Sequence, residues 1–193
     1  MKAPRWTPAL REFNRLAKEL ISDHIEAMLW LKGVASPFSR RTYVRTVFTF
    51  IEGVTFGMKQ LTLGLHASGR VALSAAELAA LREEMYDLED SGTPTVRPKF
   101  TPLAKGLRLA CSAFAKAIGS DHQVNTNDVG WSSFKQAVTI RNRIVHPKGR
   151  AEFELSETDM RTVEAGRSWF FKQTGPLLGR AAALRVRRGR RGT

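Results

Sequence analysis

Between Ser39 and Leu65 the residues Val44, Val47, Phe48, Ile51, Val54, Thr55, Met58, Leu61 and Leu65 recur at steps of three and four. That repeat lines one face of an α-helix and is out of phase with the two-residue period of a strand. An isolated helix with one continuous apolar face gains most of its stability from elements that cover the face. The rest of the chain is therefore expected to wrap around this central helix.

The flanking segments carry the pattern such covers need. Leu10, Phe13, Ala17, Leu20, Ile21, Met28 and Leu31 describe an amphipathic helix over residues 9–32, after Pro8 and before Gly33 and Pro37. Ser74, Ala75, Ala76 and Glu77 have capping-box spacing ahead of Leu78, Leu81, Met85 and Leu88, which predicts a short acidic helix ending near Gly92. Residues 91–100, with Pro94 and Pro98, read as a loop. Thr101 and Pro102 supply an N-cap and a first-turn proline for a helix running to Ile118, with Cys111 facing its stripe and Gly119 stopping it. A polar stretch, 120–127, leads to a fifth helix over residues 128–145, and Ser156 to Asp159 caps a sixth that runs to Gly175. Ala151 to Leu155 alternates briefly and is expected to be extended. With no strand series to build a sheet, the expected fold is all-α, an up-and-down bundle of five to six helices over residues 1–178.

Composition narrows the chemistry. A chain of 193 residues, 42% of them apolar, buries enough surface to hold a core without metal or disulfide staples. Cys111 is the lone cysteine, which excludes disulfide frameworks and zinc sites built on paired thiolates. No metal and no cofactor are expected. The start lacks an apolar signal region and no stretch is long and apolar enough to span a bilayer, so the expected setting is the cytoplasm, away from membranes. The formal charge of +13 makes nucleic acid the first partner to consider. That charge is uneven: Arg180 to Thr193 carries +6 of it, whereas Glu77 to Asp90 is locally −5. Residues 179–193, rich in Arg and Gly, read as a disordered arm able to neutralise phosphates. Glycine-rich phosphate loops, nucleophile elbows and paired-carboxylate motifs are absent, which removes nucleotide-hydrolysing and acyl-transfer enzymes.

One constellation remains. Trp131, Phe134, Val138, Arg141 and Val145 follow helical steps, so a guanidinium interrupts an apolar stripe and must be paired or face a pocket. Asn142 and His146 are four apart on the neighbouring edge. His146 precedes Pro147, which places its ring at a frayed helix end from which it can turn toward Arg141 and Asn142. A His five residues after an Arg-Asn pair is expected by chance about once in a hundred chains of this composition.

The block RNRIVHP resembles the signature of the HEPN superfamily: Arg141, Asn142, three variable residues, then His146. The segment 41–60, with Glu52 in its middle, also resembles the long second helix of such proteins. The resemblance implies a bundle that cleaves RNA without metal as a homodimer, the two motif helices facing each other across a shared cleft. It implies His146 as proton donor and acceptor, Arg141 on the phosphate, Asn142 positioning either the phosphate or His146, and 2′,3′-cyclic phosphate and 5′-hydroxyl products. Histidine suits that work because its ordinary pKa lies near neutrality, and arginine because its planar fork grips phosphate oxygens in pairs. Deployment as a toxin or phage-defence effector with a cognate antitoxin is a further implication. Where several HEPN toxins carry a modified Tyr two residues after the His, this chain has Lys148. Lys148, Arg150 and Arg143 are the added candidates for phosphate attraction.

Alternatives stand beside each assignment. Arg141 is also suited to anchor the bundle through an ion pair with Glu52, and Glu52 either to orient Arg141 or to lie in solvent. His146 also suits a helix cap, and His24, among Leu20 and Met28, a satisfied core or interface histidine. His66 and His122 lack neighbours at metal-ligand spacing. Trp131, Trp169, Phe170 and Phe171 follow helical spacing and read as core, as does Cys111. For the whole protein the rivals to a ribonuclease are a non-catalytic HEPN module that binds nucleotide or RNA or serves as a partner subunit, and a helical interaction protein.

Overall fold

In a computed structural model, which describes the backbone of residues 7–189 and the side chains of residues 8–182, the stripe of residues 44–65 lies on helix α2 (Pro37–Ala67). All nine stripe residues are buried. Ser36 starts the helix through a capping box: the Ser39 N–H donates to Ser36 Oγ (3.1 Å) and the Ser36 N–H to Ser39 Oγ (2.9 Å), with Pro37 in the first turn.

Around α2 the described residues form α1 (Thr7–Gly33), α3 (Ala75–Arg82), a hairpin of β1 (Glu84–Leu88) and β2 (Pro94–Pro98), α4 (Leu103–Ile118), α5 (Val129–Val145) and α6 (Glu157–Gly189). The fold is an all-α bundle of six helices with one small hairpin. Helices α1, α3, α4, α5 and α6 all pack on α2, and α5 packs closely along α6. Small residues set the spacing. A Cβ on Gly57 would overlap the Phe13 ring of α1, and one on Gly166 of α6 would fall 3.0 Å from the Phe134 backbone of α5. The main core joins Tyr43, Phe48, Ile51 and Met58 of α2 to Leu107 and Phe114 of α4, Phe134 and Ile144 of α5, and Phe170 and Leu177 of α6.

The structure corrects the sequence expectations in five places. Helix α3 stops at Arg82 instead of near Gly92, because Glu83 turns left-handed (φ 57°) and its N–H closes onto the carbonyls of Ala79 and Ala80. The next residues then pair as a hairpin, Tyr86 opposite Val96, leaving Met85 and Leu88 exposed. Pro94 and Pro98, which suggested a loop, fit because each strand of a two-stranded ribbon has an open edge that needs no donor. On α1, Ile21 is exposed, whereas Leu20 and Ala27 are buried. Pro102, not Thr101, occupies the N-cap of α4, with no side-chain cap bond. Residues 151–153 form a 3₁₀ turn in place of an extended segment.

The fifth difference is the end of α6, which continues past Gly175 and through Pro176 to Gly189. An interior proline costs a helix about 3 kcal/mol. Fully burying Leu177 contributes about 1.5–3 kcal/mol, and Leu178 and Ala181 pack on the core as well, so tertiary packing carries the helix through. The expected boundary at 178/179 therefore falls inside α6. Arg180, counted with the arm, donates to the Gly119 carbonyl at the end of α4. The arm's remaining arginines lie outside the described side chains.

Candidate functional site

Asp128 caps α5 by accepting from the Trp131 N–H at 2.9 Å, which fixes the register of the motif that follows. The buried line of α5 is Phe134, Ala137, Ile140 and Ile144. The expected stripe is thus rotated: Val138 is half-buried, Val145 is exposed, and Arg141 sits at the edge of the buried line instead of in it. The cause is Ala137, whose small side chain faces Gly166 and lets α6 come close.

From that edge Arg141 reaches α2. Its Nη2 lies 2.6 Å from Glu52 Oε1, and its Nη1 donates to Asn142 Oδ1 at 3.0 Å. The two charged side chains are 25% and 40% exposed, so the pair is partly solvated. Glu52 thus pairs with Arg141 while its side chain stays 40% exposed.

Arg141 and Asn142 line a cleft of about 420 Å³ bounded by α2, α5, the start of α4 and the turn at Glu83. The same cleft holds a second ion pair, Lys59 Nζ to Glu83 Oε1 at 2.8 Å. The Lys59 side chain is only 7% exposed, and among the described residues Glu83 is its hydrogen-bond partner, which leaves two of the three ammonium donors unpartnered there. Phe56 and Phe100 stand at the cleft, 56% and 89% exposed. Sequence reasoning missed these four residues. Lys59 carried a legible signal, since it lies four residues after Thr55 and seven after Glu52, on one face of α2. Glu83 and Phe100 carried none, because the left-handed turn and the hairpin bring them to the cleft.

His146 is the C-cap of α5 (φ −126°, ψ 61°), and its N–H donates to the Asn142 carbonyl at 2.9 Å. Its ring is exposed outside the cleft's lining and makes no side-chain hydrogen bond among the described residues. The expected turn of the ring toward Arg141 and Asn142 is therefore absent within one copy. Next to it, Arg45 of α2 donates to the Ile144 carbonyl at 3.2 Å, and Arg41 lies 4.1 Å over the Phe153 ring. Both arginines put positive charge beside the end of α5, and neither was read from the sequence.

The three cations proposed for phosphate attraction separate. Arg143 is committed to joining α5 to α6, donating to Asp159 Oδ2 at 3.0 Å and to the Glu154 carbonyl at 3.1 Å. Burial pushes the Asp159 carboxyl up, but the Ser156 N–H and hydroxyl together with Arg143 outweigh it and hold it below its ordinary value. Lys148 and Arg150 are exposed in the turn after α5, with Arg150 Nε 3.5 Å from Glu154 Oε1.

The remaining histidines lie away from the cleft. His24 is buried among Tyr43, Phe50 and Phe171 with its Nδ1 unpartnered, so it is a core histidine but not a satisfied one. Burial, then the Arg167 charge, lower its pKa against the opposing pull of Glu164. Trp169 and Phe170 are buried and Trp131 packs against the core, as expected, whereas Phe171 is partly exposed. Among the described residues no group of three or more His, Cys, Asp or Glu is placed to hold a metal ion, and no helix is long and apolar enough to cross a membrane.

The arrangement offers a concave, part-aromatic surface with two cations and two carboxylates, and an exposed imidazole on the helix that carries one of those cations. In comparison with known proteins, no family model, no curated protein and no solved structure matches this chain.

Proposed function

We propose that this protein is a metal-independent endoribonuclease of the HEPN type, acting as a homodimer on RNA in the cytoplasm. The observation that carries the proposal is Arg141: its guanidinium is held by Glu52 and Asn142 at the edge of an open cleft, with the exposed His146 ring on the same helix. A guanidinium needed only as an anchor has no reason to line an open cleft.

In the reaction, the ribose 2′-oxygen attacks the adjacent phosphorus. Neutral His146 of one copy takes the 2′-hydroxyl proton while the P–O2′ bond forms. The P–O5′ bond breaks, and protonated His146 of the second copy supplies the proton that the leaving 5′-oxygen needs. Arg141 neutralises charge on the non-bridging phosphate oxygens, and Asn142 positions the guanidinium. The products are a 2′,3′-cyclic phosphate and a 5′-hydroxyl. Two copies are required because one His146 cannot both accept and donate a proton in the same step. Deployment as a toxin or phage-defence effector held by an antitoxin belongs to this proposal.

A second reading is favoured by the position of His146 outside the cleft's lining: a non-catalytic module that binds nucleotide or RNA through Arg141. Purified wild-type protein and His146→Ala, assayed on single-stranded RNA with EDTA present, separate the two. The proposal expects cleavage by the wild type and a loss of at least about 100-fold in the variant. Equal activity of both, after repurification to exclude contaminants, overturns it.

A further inference from the structure

We infer that the cleft beside Arg141 is a base-reading subsite that selects guanine in the nucleotide next to the cleaved phosphate. The inference rests on the ribonuclease proposal for its placement in RNA, and on the cleft alone for its base preference.

Three observations meet there. Lys59 is an almost fully buried ammonium that lines a cavity, with two of its donors unpartnered among the described residues. Burying a cation is unfavourable unless its donors are satisfied, and the Glu83 bond at 2.8 Å satisfies one of three. Glu83 lines the same cleft with its side chain 47% exposed, and only its Oε1 is taken by Lys59. It is held there by the left-handed turn (φ 57°) that ends α3. Phe56 and Phe100 present exposed aromatic surface at the same cleft, and Phe100, at 89% exposure, has almost no packing role in the bundle.

The chemistry of the pair narrows the ligand. Bases unstacked from single-stranded RNA are recognised by stacking on aromatic rings and by hydrogen bonds to their Watson–Crick edges. Lys59 and Glu83 present a donor beside a two-oxygen acceptor. The guanine edge is the complement: its O6 accepts from the ammonium while N1–H and N2–H donate to the two carboxylate oxygens. Adenine and cytosine bring their donors on a single exocyclic nitrogen, and uracil brings one N–H, so none fills both oxygens at once. Arg141 lines the same cleft and would meet the phosphate attached to the bound nucleoside.

The test uses full-length His146→Ala protein, so that binding is measured without cleavage, titrated with GMP, AMP, CMP and UMP. GMP is expected to bind at least about tenfold tighter than the others. Phe100→Ala, a surface change that leaves the fold intact, is expected to weaken GMP about 5- to 100-fold, the scale of one lost base–aromatic stack. Glu83→Gln, which replaces one acceptor oxygen by a donor, is expected to bring GMP within about threefold of AMP. Equal binding of the four nucleotides, or a Phe100→Ala protein that binds GMP as tightly as its parent, overturns the inference. Failure of the ribonuclease proposal reads differently: guanine preference without His146-dependent RNA cleavage leaves the subsite standing and removes the catalysis.

Discussion

Replacing Arg141 by Ala separates an anchoring arginine from a phosphate-binding one, because the two roles differ in which quantity falls. The Arg141–Glu52 pair is 2.6 Å long, with side chains 25% and 40% exposed. Fully exposed pairs contribute about 0.2–1 kcal/mol, whereas breaking a buried pair costs about 3–5 kcal/mol. A partly solvated pair in a bundle held by apolar packing belongs near the lower figure, about 1 kcal/mol, which is a melting shift of about 2–4 °C for a domain of this size. Cleavage is expected to fall far more, by about 100- to 1000-fold, the usual effect of removing one group that stabilises transition-state charge. Arg141→Lys keeps the charge without the fork, so it is expected to fold as well as the wild type and recover little of the activity. Melting curves, a double-mutant cycle with Glu52→Ala and single-turnover cleavage measure all three. A melting point more than about 10 °C lower in Arg141→Ala, or unchanged cleavage, refutes the reasoning.

Further outcomes follow from burial. The lowered pKa of His24 means that the unfolded chain takes up its proton first as pH falls, so the stability held above about pH 6.5 declines as pH drops through the window down to the lowered native value. Melting temperatures from pH 8 to 5 should fall more steeply for the wild type than for His24→Leu, and parallel curves contradict this. Gly166→Ala places a Cβ 3.0 Å from the Phe134 backbone and should destabilise by about 1–3 kcal/mol in a denaturant titration, whereas Gly149→Ala, in open space, should not. Cys111 is buried and its thiol is pushed up to about 12 by burial, so a thiol reagent should react only after unfolding, and labelling of the native protein contradicts that.

The helical frame was legible because it is written in long periodic stretches. All nine stripe residues of α2 are buried, and the glycine stop of α4 and the Asp128 start of α5 fall where the sequence puts them. What escaped depends on tertiary choices. The hairpin required Glu83 to leave the helix by a left-handed turn, whereas the spacing of Met85 and Leu88 matched a helix equally well. The extension of α6 through Pro176 required a pocket for Leu177 that only the folded core supplies. On α5, a three-residue step to Ala137 and a four-residue step to Val138 are equally helical, and Gly166 decides between them. The same limits apply to the site. Arg141 and Glu52 were readable as partners from charge against an apolar pattern, while Lys59, Glu83 and Phe100 meet only through the turn and the hairpin.

The central claim, that the Arg141–His146 motif cleaves RNA through the ribose 2′-hydroxyl, is tested most directly by the chemistry of the fragment ends. A short single-stranded RNA cut by the purified protein in EDTA should give 2′,3′-cyclic phosphate and 5′-hydroxyl termini, and a 2′-deoxy substitution at the cleaved nucleotide should abolish that cut. Fragments ending in 3′-hydroxyl and 5′-phosphate, or cleavage that survives the 2′-deoxy substitution, would contradict it.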